Sequence, residues 1–229
     1  MKYDQVISLG GWCQVAYQIK RALPGCPTGP FDWLVTPYQA LLATLDDKGA
    51  RIGGRVRLTD DGTEPLCEAY GLLYPHEFPR NTSNHAVITD EAAATCREKM
   101  ERRFRRLDES LRAGVPTLFI RFGTFAEKLA AWPYFAEQAI FTHDDAAQFC
   151  DRIEILYPDL PYHVAFVHHP DLMPAEPWDD KRSALYSLGP VSVGHLAGAN
   201  QWRGHDGQWD ELFERLGVLH LSPVTATNE

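Results

Sequence analysis

The chain has 229 residues, with 22 basic against 31 acidic side chains, a net charge of −9 and five cysteines. This acidic balance argues against a general nucleic-acid binder, which needs a net-positive face for phosphates, and no apolar stretch reaches the length of a membrane span. The length fits one fairly large domain with a substantial core, which we place at residues 1–222, followed by a frayed tail at 223–229.

Strand-like and helical patterns alternate along the chain. The first strand is read at 6–10 (VISLG), and from Cys13 onward Val15, Ala16, Ile19 and Leu23 recur at helical spacing. Prolines and glycines force repeated turns in 23–33 (LPGCPTGPFDW), and a helix is expected at 37–46. A strand-like run follows at 71–74 (GLLY), with polar loops at 79–84 and 170–182. The clearest helix spans 91–113, where Met100, Phe104, Leu107 and Leu111 form a stripe flanked by charge. Further strands are expected at 117–122, 162–169, 191–197 and 218–222, and helices at 125–131, 144–156 and 207–216. Strands separated by such helices predict an α/β fold, a mostly parallel central sheet with helices on both faces.

The cysteines stand at 13, 26, 67, 96 and 150, with no CxxC pair, so neither a zinc ribbon nor a thioredoxin-type site is indicated. Unpaired thiols suit a reducing compartment, and residues 1–11 lack an apolar signal core, so a cytoplasmic location is expected. Cys13 follows Gly10 and Gly11 where the first strand gives way to a helix. The unpaired N–H groups and dipole of a helix N-terminus favour a thiolate there, although a small inert buried cysteine would also fit. No metal site is expected. His163 and His169 share a strand face but stand roughly 20 Å apart at about 3.3 Å per residue, and His168 faces the other way.

Arg102, Arg103, Arg105 and Arg106 cluster on the long helix, where a solvated face paired with Glu98 and Glu101 is favoured over a docking site for an acidic substrate or a phosphate. Arg121, a charge inside LFIRF, must be paired or must emerge at its strand end. The stretch around Trp202, Arg203 and Trp209 has the look of a lid or a carbohydrate-contacting loop, with local core as the plainer alternative.

Five short stretches occur in a fixed order: SLGGWCQVA at 8–16, GPFDW at 29–33, YGLLYPHEF at 70–78, KMERRFRRL at 99–107 and LFIR at 118–121. In this order they resemble a bacterial family of unknown function described as papain-like cysteine peptidases. The resemblance covers the first half of the chain. It implies a cysteine nucleophile and a histidine base acting on a peptide or other acyl substrate; no cofactor and no nucleic-acid or membrane partner are expected, and the oligomeric state is left open. Its label also implies an α+β, papain-like fold with separate helical and β lobes, against which the alternation of strands and helices weighs more.

Under that reading Cys13 is the nucleophile, the N–H groups of Cys13 and Gln14 face the oxyanion, Gly11 lets a substrate backbone approach, and Arg121 contributes to substrate binding. His76 is the chosen base, because it closes a strand-like run in a matched segment and follows Pro75. His168 and His169, at the end of another strand, are the runners-up. Asp32, between two aromatics, is expected to be buried and to orient His76, or equally to accept a backbone N–H in its own turn. Glu77 is badly placed for that task, since strand neighbours point to opposite faces. Hydrolysis of a peptide or isopeptide bond is the leading function. Acyl transfer by the same residues, and non-catalytic glycan or phosphate binding through the arginines and tryptophans, are the alternatives.

Overall fold

A computed structural model describes residues 2–123, 141–168, 177–188 and 201–218. A four-stranded parallel sheet forms its centre, built from β1 (Gln5–Ser8), β4 (Thr117–Phe122), β5 (Tyr162–His168) and β6 (Ser183–Ser187) in the order β1-β4-β5-β6. Ile7 pairs with Phe119, Phe119 with Val164, and Val164 with Ser183, so one register runs across the sheet. Away from it, β2 (Val56–Leu58) and β3 (Pro65–Cys67) form a short antiparallel ribbon.

Alternation along the strands sends apolar side chains to both faces, as a doubly covered parallel sheet requires. Ile7, Phe119, Val164 and Phe166 pack with α2 (Tyr38–Asp46), α3 (Asp90–Arg112) and α4 (His143–Leu156), whose contributions include Leu41, Met100, Phe104 and Phe149. Val6, Leu118, Ile120, Phe122 and Val167 pack on the other face with Val15 and Ile19 of α1 (Cys13–Ala22), and with Trp209, Leu212 and Phe213 of α5 (Asp206–Arg215). The fold is therefore α/β with helices on both faces, and the papain-like separation into a helical and a β lobe is not how these elements are arranged.

The helices begin where local chemistry allows it. Thr89 caps α3 by accepting from the Ala92 N–H at 3.1 Å, and the acidic Asp90 and Glu91 occupy its first turn. Thr142 and Asp145 form a reciprocal capping box at α4. No side chain caps α1; Trp12 at its N-cap is simply extended.

Residues 71–74 do not form the expected strand. Leu72, Leu73 and Tyr74 are fully buried, but they make only isolated bridges, Leu73 to Val35 and to Leu66, so this is packed loop between Gly71 and Pro75. The helix at 125–131, the strand at 191–197, His169, residues 219–222 and the tail at 223–229 lie outside the described residues, as does part of the 170–182 loop. Among the described residues no helix is long and apolar enough to cross a membrane.

Candidate functional site

All four strands of the sheet run the same way, so their C-terminal ends form one edge, and α/β folds gather ligands and reactive groups there. The chain leaves β1 through Leu9, whose N–H donates to Ile120 O at 2.8 Å, and turns through Gly10 (φ 68°) and Gly11 (φ 90°) into α1. Cys13 is the first residue of that helix and is half-buried.

Two carbonyls of this region are fixed from below by Arg121. Its guanidinium, 2% exposed, donates to Leu9 O at 2.7 Å and Thr36 O at 2.6 Å and lies over the Tyr38 ring at 5.8 Å. Burial pulls its pKa down to about 10. Arg121 thus ties the turn before Cys13 to the loop after Asp32. It is a clamp under the site, and both described hydrogen bonds go to backbone carbonyls rather than into open space.

The thiolate expected at Cys13 is not the resting form. Burial pushes the thiol up to about 12, against the smaller pull of its own helix N–H, and the negative charge of Asp32 adds to the rise. Desolvation outweighs the helix terminus. Any chemistry through this sulfur would need a base to take its proton.

Asp32 is 4% exposed and accepts from the Gly29 N–H at 2.9 Å, with Lys20 Nζ at 3.9 Å and the Ser8 hydroxyl also bonding to it. Burial still holds its carboxyl above the ordinary value, partly offset by these partners and by Arg103. The next residue, Trp33, is held at φ 65°, an uncommon conformation for a bulky side chain and one that marks constrained sites.

His76 lies in an exposed turn with its ring against Trp33, centroids 6.3 Å apart. No hydrogen bond among the described residues joins His76 to Cys13 or to Asp32. The Trp33 indole also meets Trp202 at 6.4 Å, and Trp202 meets Tyr17 at 5.4 Å. Tyr17 follows Cys13 by four residues and so shares its helix face. Arg203 stacks over both Tyr17 and Trp202 at 5.0 and 5.3 Å. A rim of rings thereby runs from the Cys13 face of α1 to His76.

The Gln14 side chain is 1% exposed and packed on Gly204, where neither amide atom finds a partner among the described residues. Trp209 is core, fully buried against Phe122 and Phe213. His168 is half-buried at the end of β5, and β4 stands between β5 and β1. Glu77 is engaged elsewhere, by Lys99 and, at 3.6 Å, by Arg103. Among the described residues no group of three metal-ligating side chains comes together.

A family model described as "Putative papain-like cysteine peptidase (DUF1796)" matches residues 4–169. The chain belongs to that family. The match runs from the start of β1 to just beyond β5, well past the half of the chain in which the motifs are recognisable by eye, and it contains Cys13, Asp32, His76, Arg121 and His168. The family's description is that of a cysteine-dependent hydrolase acting on peptides, while Trp202 and Arg203 of the aromatic rim lie beyond the match. No curated protein and no solved structure matches the chain.

Several neighbours of Cys13 and Asp32 leave little trace in the sequence. Lys20 and Ser8 meet Asp32 through the fold alone, and the φ of Trp33 has no signature in FDW. Tyr17 was legible in principle, since a residue four after a helix-initial cysteine must share its face.

Proposed function

We propose that this chain hydrolyses peptide or isopeptide bonds with Cys13 as the nucleophile. The observation that carries the reading is the position of Cys13: first residue of an uncapped helix, half-buried, at the C-terminal edge of the central sheet. The Sγ attacks the scissile carbonyl while the N–H groups of Cys13 and Gln14, in the first turn of α1, face the developing oxyanion. His76 takes the thiol proton and delivers it to the leaving amine, so a thioester forms as the C–N bond breaks. Water then cleaves the thioester and returns the thiol.

The protonated resting state of Cys13 fits a mechanism in which attack and proton transfer are coupled. Asp32 serves by holding the 29–33 turn, through the Gly29 N–H, and with it the Trp33 ring against which His76 rests. The rim formed by Tyr17, Trp33 and Trp202 gives the substrate an aromatic wall beside the sulfur.

The reading is tested with a panel of fluorogenic peptides and activated peptide esters, following amine or alcohol release and intact mass on rapid acid quench. Wild type should release product and show an acyl adduct mapping to Cys13, and Cys13→Ala should do neither. Equal release by wild type and Cys13→Ala would overturn it. Transfer of the acyl group to an added amine in preference to water would favour the acyltransferase alternative.

A further inference from the structure

The arginine cluster of α3 is not one solvated face. Arg102, Arg105 and Arg106 are exposed and the Arg103 side chain is only 12% exposed, and Arg103 and Arg106 together line a pocket of about 150 Å³ beside the outer edge of β1. The pocket is also lined by Cys26, Thr28, Asp32 and Ser110. Lys20 sits next to it, donating to Cys26 O and lying 3.9 Å from Asp32.

Charge is unbalanced here. Arg103 and Arg106 line the pocket with one carboxylate, Asp32; with the neighbouring Lys20 and Lys99 that makes four cations against two carboxylates, Asp32 and Glu77, the latter shared by Lys99 and Arg103. In a chain of net charge −9 this is a local positive excess inside a concave, partly apolar space. Arg103 makes no hydrogen bond to an oxygen acceptor among the described residues; its charge lies 3.6 Å from Glu77, and its other contact is the Met100 sulfur at 4.0 Å. Arg106 donates to Thr28 O at 2.9 Å and holds the rim of the same pocket. A half-buried guanidinium with unused planar donors matches the two-oxygen face of a phosphate or a carboxylate. A cavity near 150 Å³ accommodates a group about the size of benzene, which a compact anion fits.

We propose that this pocket binds a small oxyanion, inorganic phosphate or a short carboxylate, gripped by Arg103 and Arg106 with Lys20 supplying further positive field. This does not rest on Cys13 being a nucleophile. Cys26, whose thiol lines the pocket and donates to Val6 O at 3.6 Å, is a reporter of occupancy.

The test titrates the full chain with phosphate in one arm and malonate in the other, at ionic strength held constant with sodium chloride, reading Tm and the rate of iodoacetamide labelling of Cys26 by peptide mapping. Binding should raise Tm by roughly 2–4 °C at about five times Kd and slow Cys26 labelling several-fold. A response to phosphate alone, to malonate alone or to both names the source within the same class. Arg106→Gln, at an exposed position, and Arg103→Gln should each weaken binding by about tenfold or more. If Arg103→Gln does not fold, Arg106→Gln carries the test. No Tm shift at fixed ionic strength, unchanged Cys26 labelling, or an undiminished response in Arg106→Gln would overturn the proposal.

Discussion

Gly11 packs so closely on the end of β4 that a Cβ built on it would stand 2.1 Å from Phe122 O. Its φ of 90° is one that side chains rarely adopt, so the constraint is double. Gly11→Ala should cost about 3 kcal/mol or more, because neither the strand carbonyl nor the turn can yield without moving Cys13. Urea unfolding checks this, and Gly25→Ala, with nothing within 4 Å of its Cβ, is the matched control for a left-handed glycine in open space.

Arg121 supplies the second constraint on the same turn. Replacing it with Met keeps much of the volume but leaves Leu9 O and Thr36 O without their donor in a buried setting. A loss of about 2–4 kcal/mol is expected from unfolding curves. Because the clamp joins the turn before Cys13 to the loop after Asp32, Arg121→Met should also change the labelling rate of Cys13. Unchanged stability would mean that water replaces both bonds.

The central strands were legible because they carry two-sided apolar runs: TLFIRF is read at the residues it occupies, and YHVAFVHH is strand at each of its described residues, Tyr162–His168. The long helix was legible from the spacing of Met100, Phe104, Leu107 and Leu111, all of which are buried. β6 was not, since Ser-Ala-Leu-Tyr-Ser has no β-branched residue and follows a charged stretch; its place is set by pairing with β5. GLLY misled for the opposite reason, as a fully apolar run can be buried without joining a sheet. At the site, the strand–glycine–cysteine–helix order could be read directly. The state of the thiol could not, because it depends on how deeply tertiary packing desolvates the sulfur and on Asp32 arriving from another loop. The distinction between Arg103 and its neighbours Arg102 and Arg105 likewise required the loop that α3 packs against.

Asp32 gives a pH signature. Burial raises its carboxyl above the unfolded value, so the folded state favours the protonated form. Its favourable contribution is complete below the ordinary carboxylate pKa and is lost as pH rises through the raised folded value. Asp32→Asn keeps an oxygen for the Gly29 N–H but has no proton to lose. The Tm of Asp32→Asn minus that of wild type should therefore grow from pH 4 upward and level off once Asp32 is ionised. A difference that shrinks with rising pH would show that Lys20 and Arg103 outweigh desolvation.

The resting thiol gives another. With Cys13 pushed up to about 12, the thiolate is scarce at neutral pH, and alkylation of Cys13 by iodoacetamide should rise about tenfold per pH unit from pH 7 to 10 without levelling. A plateau below pH 8 would instead reveal a preformed ion pair. Cys67, Cys96 and Cys150 are buried and should label far more slowly than Cys13 and Cys26, both of which are partly accessible.

If Cys13 and His76 work as one unit, their losses will not add. Removing the sulfur abolishes the acyl intermediate, so once Cys13→Ala is made the base has nothing to deprotonate. His76→Ala alone should lower kcat/KM by about 10²–10⁴-fold, the usual worth of a positioned base. The double mutant should match Cys13→Ala, with no further fall. Asp32→Asn should cost less than His76→Ala, because its described bonds hold the 29–33 turn and act on the base only through the Trp33 ring. Trp33→Leu then separates the two routes: if the ring is what positions His76, it should lower kcat more than Asp32→Asn while leaving the Cys13 labelling profile intact. Should His76→Ala retain full activity, the proton must leave by another path. His168, half-buried at the end of β5, is then the residue to replace, and an additive loss in its double mutant with Cys13→Ala would show that it too stands outside the chemistry.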